Sequence, residues 1–242
     1  MEQESTTASV KHSQAPGPVT SLDDPRALQI LSTEHWSLLT SRSLAYNEAF
    51  TRGGMFLTFL SMSFVALALL ASAMSFGEQF LTIAAIVLGF DFLIGLTTYG
   101  RIMGANEDDL RAVQGMARIR HAYLEIAPMV GRYFISPTND DVGSIVATYR
   151  QTGGNDMLYA FTTSGGMIGL ITSMVGGVLA SVMALLFGAS GDLGIWVGVG
   201  GAALVLIVIV RVSFGRVART QRELGTMFPA PGAKPDASDP ES

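Results

Sequence analysis

Asp91 is the only charged residue in GFDFLIGLTTYG, Gly89 to Gly100, a stretch otherwise fit for lipid. A lone carboxyl at such a place has two chemistries open to it. Protonated, it donates a hydrogen bond to a hydroxyl or carbonyl and serves packing. Ionised in a water-filled path, it carries protons or holds a cation, as acids in channels and pumps do. Intramembrane hydrolysis would need paired acids, a Ser with a His at membrane depth, or a HExxH run, because one group cannot both activate a nucleophile and stabilise its products. The apolar runs hold one Asp and no His, and HExxH is absent.

The other candidates for chemistry are weak. VGVGG, 197 to 201, lies inside an apolar run with no strand before it, so it is not a nucleotide loop. His121 and Glu125 stand at i, i+4 like half a metal site, but without a third ligand in view they read as an ordinary helix pair. There is no cysteine, which removes disulfide and thiolate chemistry. No catalytic residue, cofactor or metal is expected, and the chain reads as a non-enzyme.

The elements that must position Asp91 are membrane helices. At 49% hydrophobic, 14% charged and mean hydropathy +0.40, the 242-residue chain is too apolar for an ordinary soluble domain. Its charges are also absent from long runs: none between Arg52 and Glu78, only Asp91 from Phe80 to Tyr99, none between Asp156 and Asp192, and none between Asp192 and Arg211. A hydrocarbon core about 30 Å thick takes ~20 helical residues. Four spans follow, at 55–74, 80–99, 165–187 and 193–212. The fold class is all-α: a polytopic membrane protein of four transmembrane helices in two hairpins with cytoplasmic helical extensions. The polar N-terminus carries no apolar leader core, so the first span is expected to act as the insertion signal.

All fifteen Lys and Arg lie outside the two short span-to-span loops, which hold only Glu78 and Asp192. By the positive-inside rule both termini and the central segment are cytoplasmic, and the net charge of -5 hides this segregation. Phe76, Phe80, Phe187 and Trp196 fall near the outer interface, and Phe50, Tyr99, Tyr159 and Phe214 near the inner one, where such rings sit. Residues 1–24 and 227–242 are rich in Ser, Thr, Pro, Ala and acids, a composition expected to form disordered tails. Between them, 25–226 is the membrane domain with a cytoplasmic helical segment at 102–156.

Asp24 followed by Pro25 marks a helix start running into the first span. Asn106 is expected to cap a new helix, EDDLRAVQGMARIRHAYLEIA, which Pro128 ends. A shorter helix is expected near Asp140 to Gln151, and Arg216 to Leu224 should continue the fourth span. In the helix after the second span, Leu110, Val113, Ala117 and Leu124 form an apolar stripe beside Arg111, Arg118 and Arg120. Such a helix packs on neighbours or lies near anionic lipid. The two halves share one plan, which is treated as architecture only.

At 1.5 Å per residue Asp91 lies about 16 Å from Phe80 and about 12 Å from Tyr99, near the midplane. Ala84, Asp91, Gly95 and Thr98 share a small or polar face, so Asp91 should point into the protein. Equal counts from the inner edge reach Ser63 in the first span and Ser173, next to Thr172, in the third. A polar layer of Asp91, Ser63, Thr172 and Ser173 is therefore expected. Arg101, ~15 Å along the same helix, is an interfacial anchor rather than a counter-ion.

Small residues repeat every fourth position in the third span, at Gly165, Gly169, Ser173, Gly177 and Ser181, and the fourth span adds Gly194 and Gly198. Such spacing lets helices approach closely. The partner is either another helix of the same chain or a second copy, with a pore-lining oligomer as one form of the latter. Expected partners are thus the lipid bilayer, a homo-oligomer and a cytoplasmic protein, with no nucleic acid.

The stretches ILSTEHWSLLTSRSLAYNEAF and LRAVQGMARIRHAYLE resemble small integral membrane proteins of bacteria that carry no assigned function. The resemblance covers about half the chain. It implies a bacterial inner membrane location and no activity or site. The leading expectation is a structural, oligomerising or partner-binding membrane component; the alternative is a small ion or proton channel or transporter using Asp91.

Overall fold

A computed structural model describes residues 18–74, 76–149, 164–223 and 225–232. Arg150, Gln151, Tyr159 and Leu224, together with the tail residues 1–17 and 233–242, lie outside the described residues. The described chain is helical: α1 (Pro25–Met74), α2 (Glu78–Ile126), a 3-10 turn (Pro128–Tyr133), α3 (Val142–Tyr149), α4 (Ser164–Leu186) and α5 (Gly191–Glu223). Four of these helices are long and apolar enough to cross a membrane; α1, α2 and α5 contain the stretches 55–74, 80–99 and 193–212, while α4 ends at Leu186, one residue short of the expected 187. The protein is an all-α polytopic membrane protein.

Local chemistry sets the ends. Asp24 Oδ1 accepts the Arg26 N–H at 2.9 Å, and its carbonyl accepts the Ala27 N–H at 2.8 Å, with Pro25 opening α1 where a missing N–H costs nothing. After α4 the chain turns through Gly188 at φ +85, a left-handed conformation suited to glycine. The Ser190 carbonyl then accepts the Gly194 N–H at 2.9 Å to start α5.

α1 and α2 form an antiparallel pair in heptad register. Ala49, Gly53, Phe56, Leu60, Ser63 and Leu67 are buried on α1; Phe80, Ala84, Leu88, Asp91, Gly95, Thr98 and Ile102 are buried on α2. Alternating three- and four-residue steps, along α1 and from Ala84 onward on α2, keep one seam facing its partner. The seam continues beyond the apolar band, so residues 25–54 of α1 and 100–126 of α2 extend about 45 Å and about 40 Å past it as a two-helix stalk. α3 and the segment from Gly225 to Gly232 pack at this stalk.

Two expectations are corrected here. Asn106 does not cap a new helix, because α2 runs unbroken through it. Extending an existing helix adds a hydrogen bond per residue without a new nucleation cost, and this outweighs the capping tendency of one Asn. The disordered tail expected from Met227 does not begin there: residues 227–230 are held by hydrogen bonds to Asn139, Asp140 and Asp141. Composition measures how much apolar surface a segment can bury and is blind to main-chain hydrogen bonding.

Within the apolar band α1 packs on α2, α2 on α4, and α4 on α5, with only marginal contact between α1 and α4 or α2 and α5. The helices therefore stand in a row, the two hairpins joined by the α2–α4 contact. The core runs through Phe56, Leu60, Leu88, Tyr99, Ile102, Ile168 and Val175.

Candidate functional site

Asp91 is fully buried where α1, α2 and α4 meet. The Ser63 hydroxyl donates to Asp91 Oδ1 at 3.0 Å. Asp91 Oδ2 is buried and accepts no hydrogen bond from the described residues. Thr172 and Ser173 are buried on α4, but their hydroxyl protons go to their own helix, to the carbonyls of Ile168 and Gly169, each at 2.7 Å. One turn from Asp91, a Cβ added at Gly95 would lie 2.6 Å from Thr172 Oγ1, so the Thr172 side chain of α4 packs directly on the α2 backbone. An ionised carboxylate with one hydroxyl donor is poorly compensated in an apolar interior; a neutral acid needs only one more acceptor for its proton.

The small residues of α4 divide between two neighbours. Gly165 faces Ile102 and Met103 of α2, and Gly169 faces Tyr99 of α2 and Ile209 of α5. Further out, a Cβ at Gly177 would sit 2.6 Å from the Gly198 carbonyl, and one at Gly198 would sit 3.0 Å from the Ser181 Cβ. Gly194 packs on Leu185 and near Ser181. These positions are filled within one chain. Tyr99 also hydrogen-bonds Ser213 of α5 at the stalk end of the apolar band.

Beyond the apolar band, Arg101 and Arg52 both donate to Glu48 Oε1, at 2.7 Å and 2.9 Å. They rim a hollow of about 40 Å³ lined also by Ala45, Ala49, Ala105 and Asp108, room for a few waters.

Two acid-centred clusters hold the stalk, and sequence reasoning missed both. Asp109, almost wholly buried on α2, accepts from Arg42 and Tyr46 of α1 and from Tyr149 of α3. Arg42 and Tyr46 stand one turn apart, so they reach the same acid. Burial, reinforced by the bond to Asp109, pushes the Tyr149 phenol well above its ordinary range and keeps it a neutral donor.

Asp140, also buried, is the second centre. Its carboxylate accepts the main-chain N–H groups of Met227 (3.0 Å) and Phe228 (2.7 Å) and the Arg118 Nε–H (2.7 Å). Burial works against its ionisation, but the Met227, Phe228 and Arg118 hydrogen bonds outweigh that and hold the carboxyl below its usual range. His121, read as half of a helix pair, lies 3.8 Å from Glu125 and stacks on the Phe228 ring with centroids 4.0 Å apart. An Asp-Asp pair before α3 reads only as a helix cap, which Asp141 does supply to Ser144. Nothing in the pair signals the contact to Met227 and Phe228.

No protein-family model, curated protein or solved structure matches the chain.

Proposed function

We propose that the chain is a non-enzymatic, multi-pass component of a bacterial inner membrane, with both termini and the stalk cytoplasmic, that presents the stalk to a protein partner or a second copy. The orientation rests on the segregation of Lys and Arg, and the bacterial setting on the resemblance of the stretches flanking the first pair of spans. The observation that carries the binding role is an exposed apolar row on α1. Leu28, Trp36 and Leu39 lie on one side of the helix, about 25 to 40 Å beyond the start of the first span and past the reach of headgroups. Trp36 is 64% exposed. Large apolar side chains grouped outside both core and membrane mark an interaction surface.

A second reading is favoured by one specific feature, the unsatisfied Oδ2 of Asp91. In it, Asp91 carries protons or a monovalent cation through an oligomeric path. Proton and cation flux in proteoliposomes, wild type beside Asp91→Asn at matched reconstitution, decides between the two. The leading reading expects no flux from folded wild type over a pH series under an imposed potential. Flux abolished by Asp91→Asn would replace it with the second.

A further inference from the structure

We infer that Gln114, Arg118 and His121 of α2, with Asn139, Asp140 and Asp141 of the loop before α3, form a peptide-binding site. It takes a peptide bent so that two successive N–H groups face one carboxylate, with an aromatic residue followed by proline, and the chain's own Gly225–Ala230 occupies it in the resting protein. The contacts are those of a receptor for main chain. Asp140 accepts two successive N–H groups, and its own N–H donates to the Phe228 carbonyl at 3.2 Å. Asn139 Nδ2 donates to the carbonyls of Phe228 and Pro229, both at 3.3 Å. Asp141 Oδ1 accepts the Ala230 N–H at 3.1 Å, while Gln114 and Arg118 donate to the Gly225 carbonyl.

Side-chain selection is confined to two positions. The Phe228 ring lies flat on His121, and position 229 has no N–H to satisfy, which proline fits. The Met227 side chain, 63% exposed, is not read. A site that reads backbone, one ring and one proline accepts that pattern from any chain that carries it. The covalent link to α5 gives the resident segment a high effective concentration, so it acts as a built-in competitor. The inference deepens the partner-binding reading by naming a ligand class; its failure would leave that reading resting on the α1 row, which a separate measurement addresses.

The test uses the full chain in lipid nanodiscs and a fluorescein-labelled peptide, GTMFPAPG, residues 225–232. Met227→Pro with Phe228→Ala empties the site, and this variant should bind the peptide saturably, while wild type binds at least about tenfold more weakly. A peptide with Ala for Phe should lose about tenfold in affinity. A monodisperse variant that shows no saturable binding at millimolar peptide, or binds both peptides equally, overturns the proposal. Should that variant not fold, the native segment can report instead: the chain has no cysteine, so Pro231→Cys takes a single spin label. Millimolar unlabelled GTMFPAPG should raise the label's mobility, and an unchanged spectrum overturns the proposal.

Discussion

Ser63 and Asp91, 28 positions apart, meet at 3.0 Å inside the apolar band, hydroxyl to carboxyl. If the acid serves packing, an amide can take its place, accepting from Ser63 through its oxygen. Asp91→Asn should therefore stay monodisperse, and a Ser63→Ala, Asp91→Ala double-mutant cycle in detergent unfolding, where each change removes the bond, should give a coupling of about 0.5–1.5 kcal/mol. Coupling indistinguishable from zero would remove this bond from the forces that hold α1 to α2.

The close contacts of α4 predict where a methyl is tolerated. Gly177→Ala drives a Cβ to within 2.6 Å of the Gly198 carbonyl, whereas Gly200 has nothing within 4 Å. Gly177→Ala should cost about 1–3 kcal/mol in thermal or SDS unfolding. Gly200→Ala should be neutral or slightly stabilising, since helical glycine is costly relative to alanine.

At Asp109 three donors converge on one buried acid, so the order of damage can be ranked. Asp109→Ala leaves Arg42 half-buried without its partner and should cost about 2–4 kcal/mol. Tyr149→Phe removes one hydrogen bond to a charged group and should cost about 1.5–2 kcal/mol. Both are read from denaturant unfolding of the purified protein, and equal losses would mean that Tyr149 and not Arg42 dominates.

Asp140 sets an acid limit on the tail contact. Its carboxyl is held below the ordinary value of 3.8, so the stabilisation it provides is full above that value and fades as pH falls through the folded-state value. A spin label at Pro231→Cys should keep one mobility from pH 8 down to about 5 and loosen only at more acid pH. Loosening already between pH 7 and 6 would contradict a contact limited by the Asp140 carboxyl.

Trp36 offers a direct view of the exposed α1 row. With Trp196→Phe, Trp36 is the sole tryptophan. Its emission should be that of a solvated indole in the dilute protein and shift blue as a partner or second copy covers it. Blue emission at every dilution would place Trp36 in an already buried site and contradict the exposed row.

The membrane part of the fold was legible because bilayer thickness and charge avoidance act on contiguous sequence. The opposition of Ser63 and Asp91 follows from a tight hairpin and a fixed rise per residue. The glycine ladder announced close packing but not its partner, since spacing on α4 is the same whether α2, α5 or a second copy fills it. Asn106 misled because capping residues also occur inside long helices that neighbours already hold. The Asp109 and Asp140 clusters stayed hidden for a different reason. Each acid lies 22 to 88 positions from the partners named, and Asp140 binds main-chain N–H groups that every residue type but proline carries.

Helices in a row, unlike helices in a ring, expose two flanks each to acyl chains, so hydrophobic mismatch acts on all four together. α4 has 23 residues, about 35 Å against a hydrocarbon core of about 30 Å, and a thinner bilayer can accommodate it only by tilt or local thickening. The Thr172 side chain seated on Gly95 and the backbone-close contact at Gly177 make α2 and α5 lean with it. Because α2 continues without a break into the stalk, a change in membrane thickness becomes an angular displacement of the stalk tip, magnified by the stalk's length.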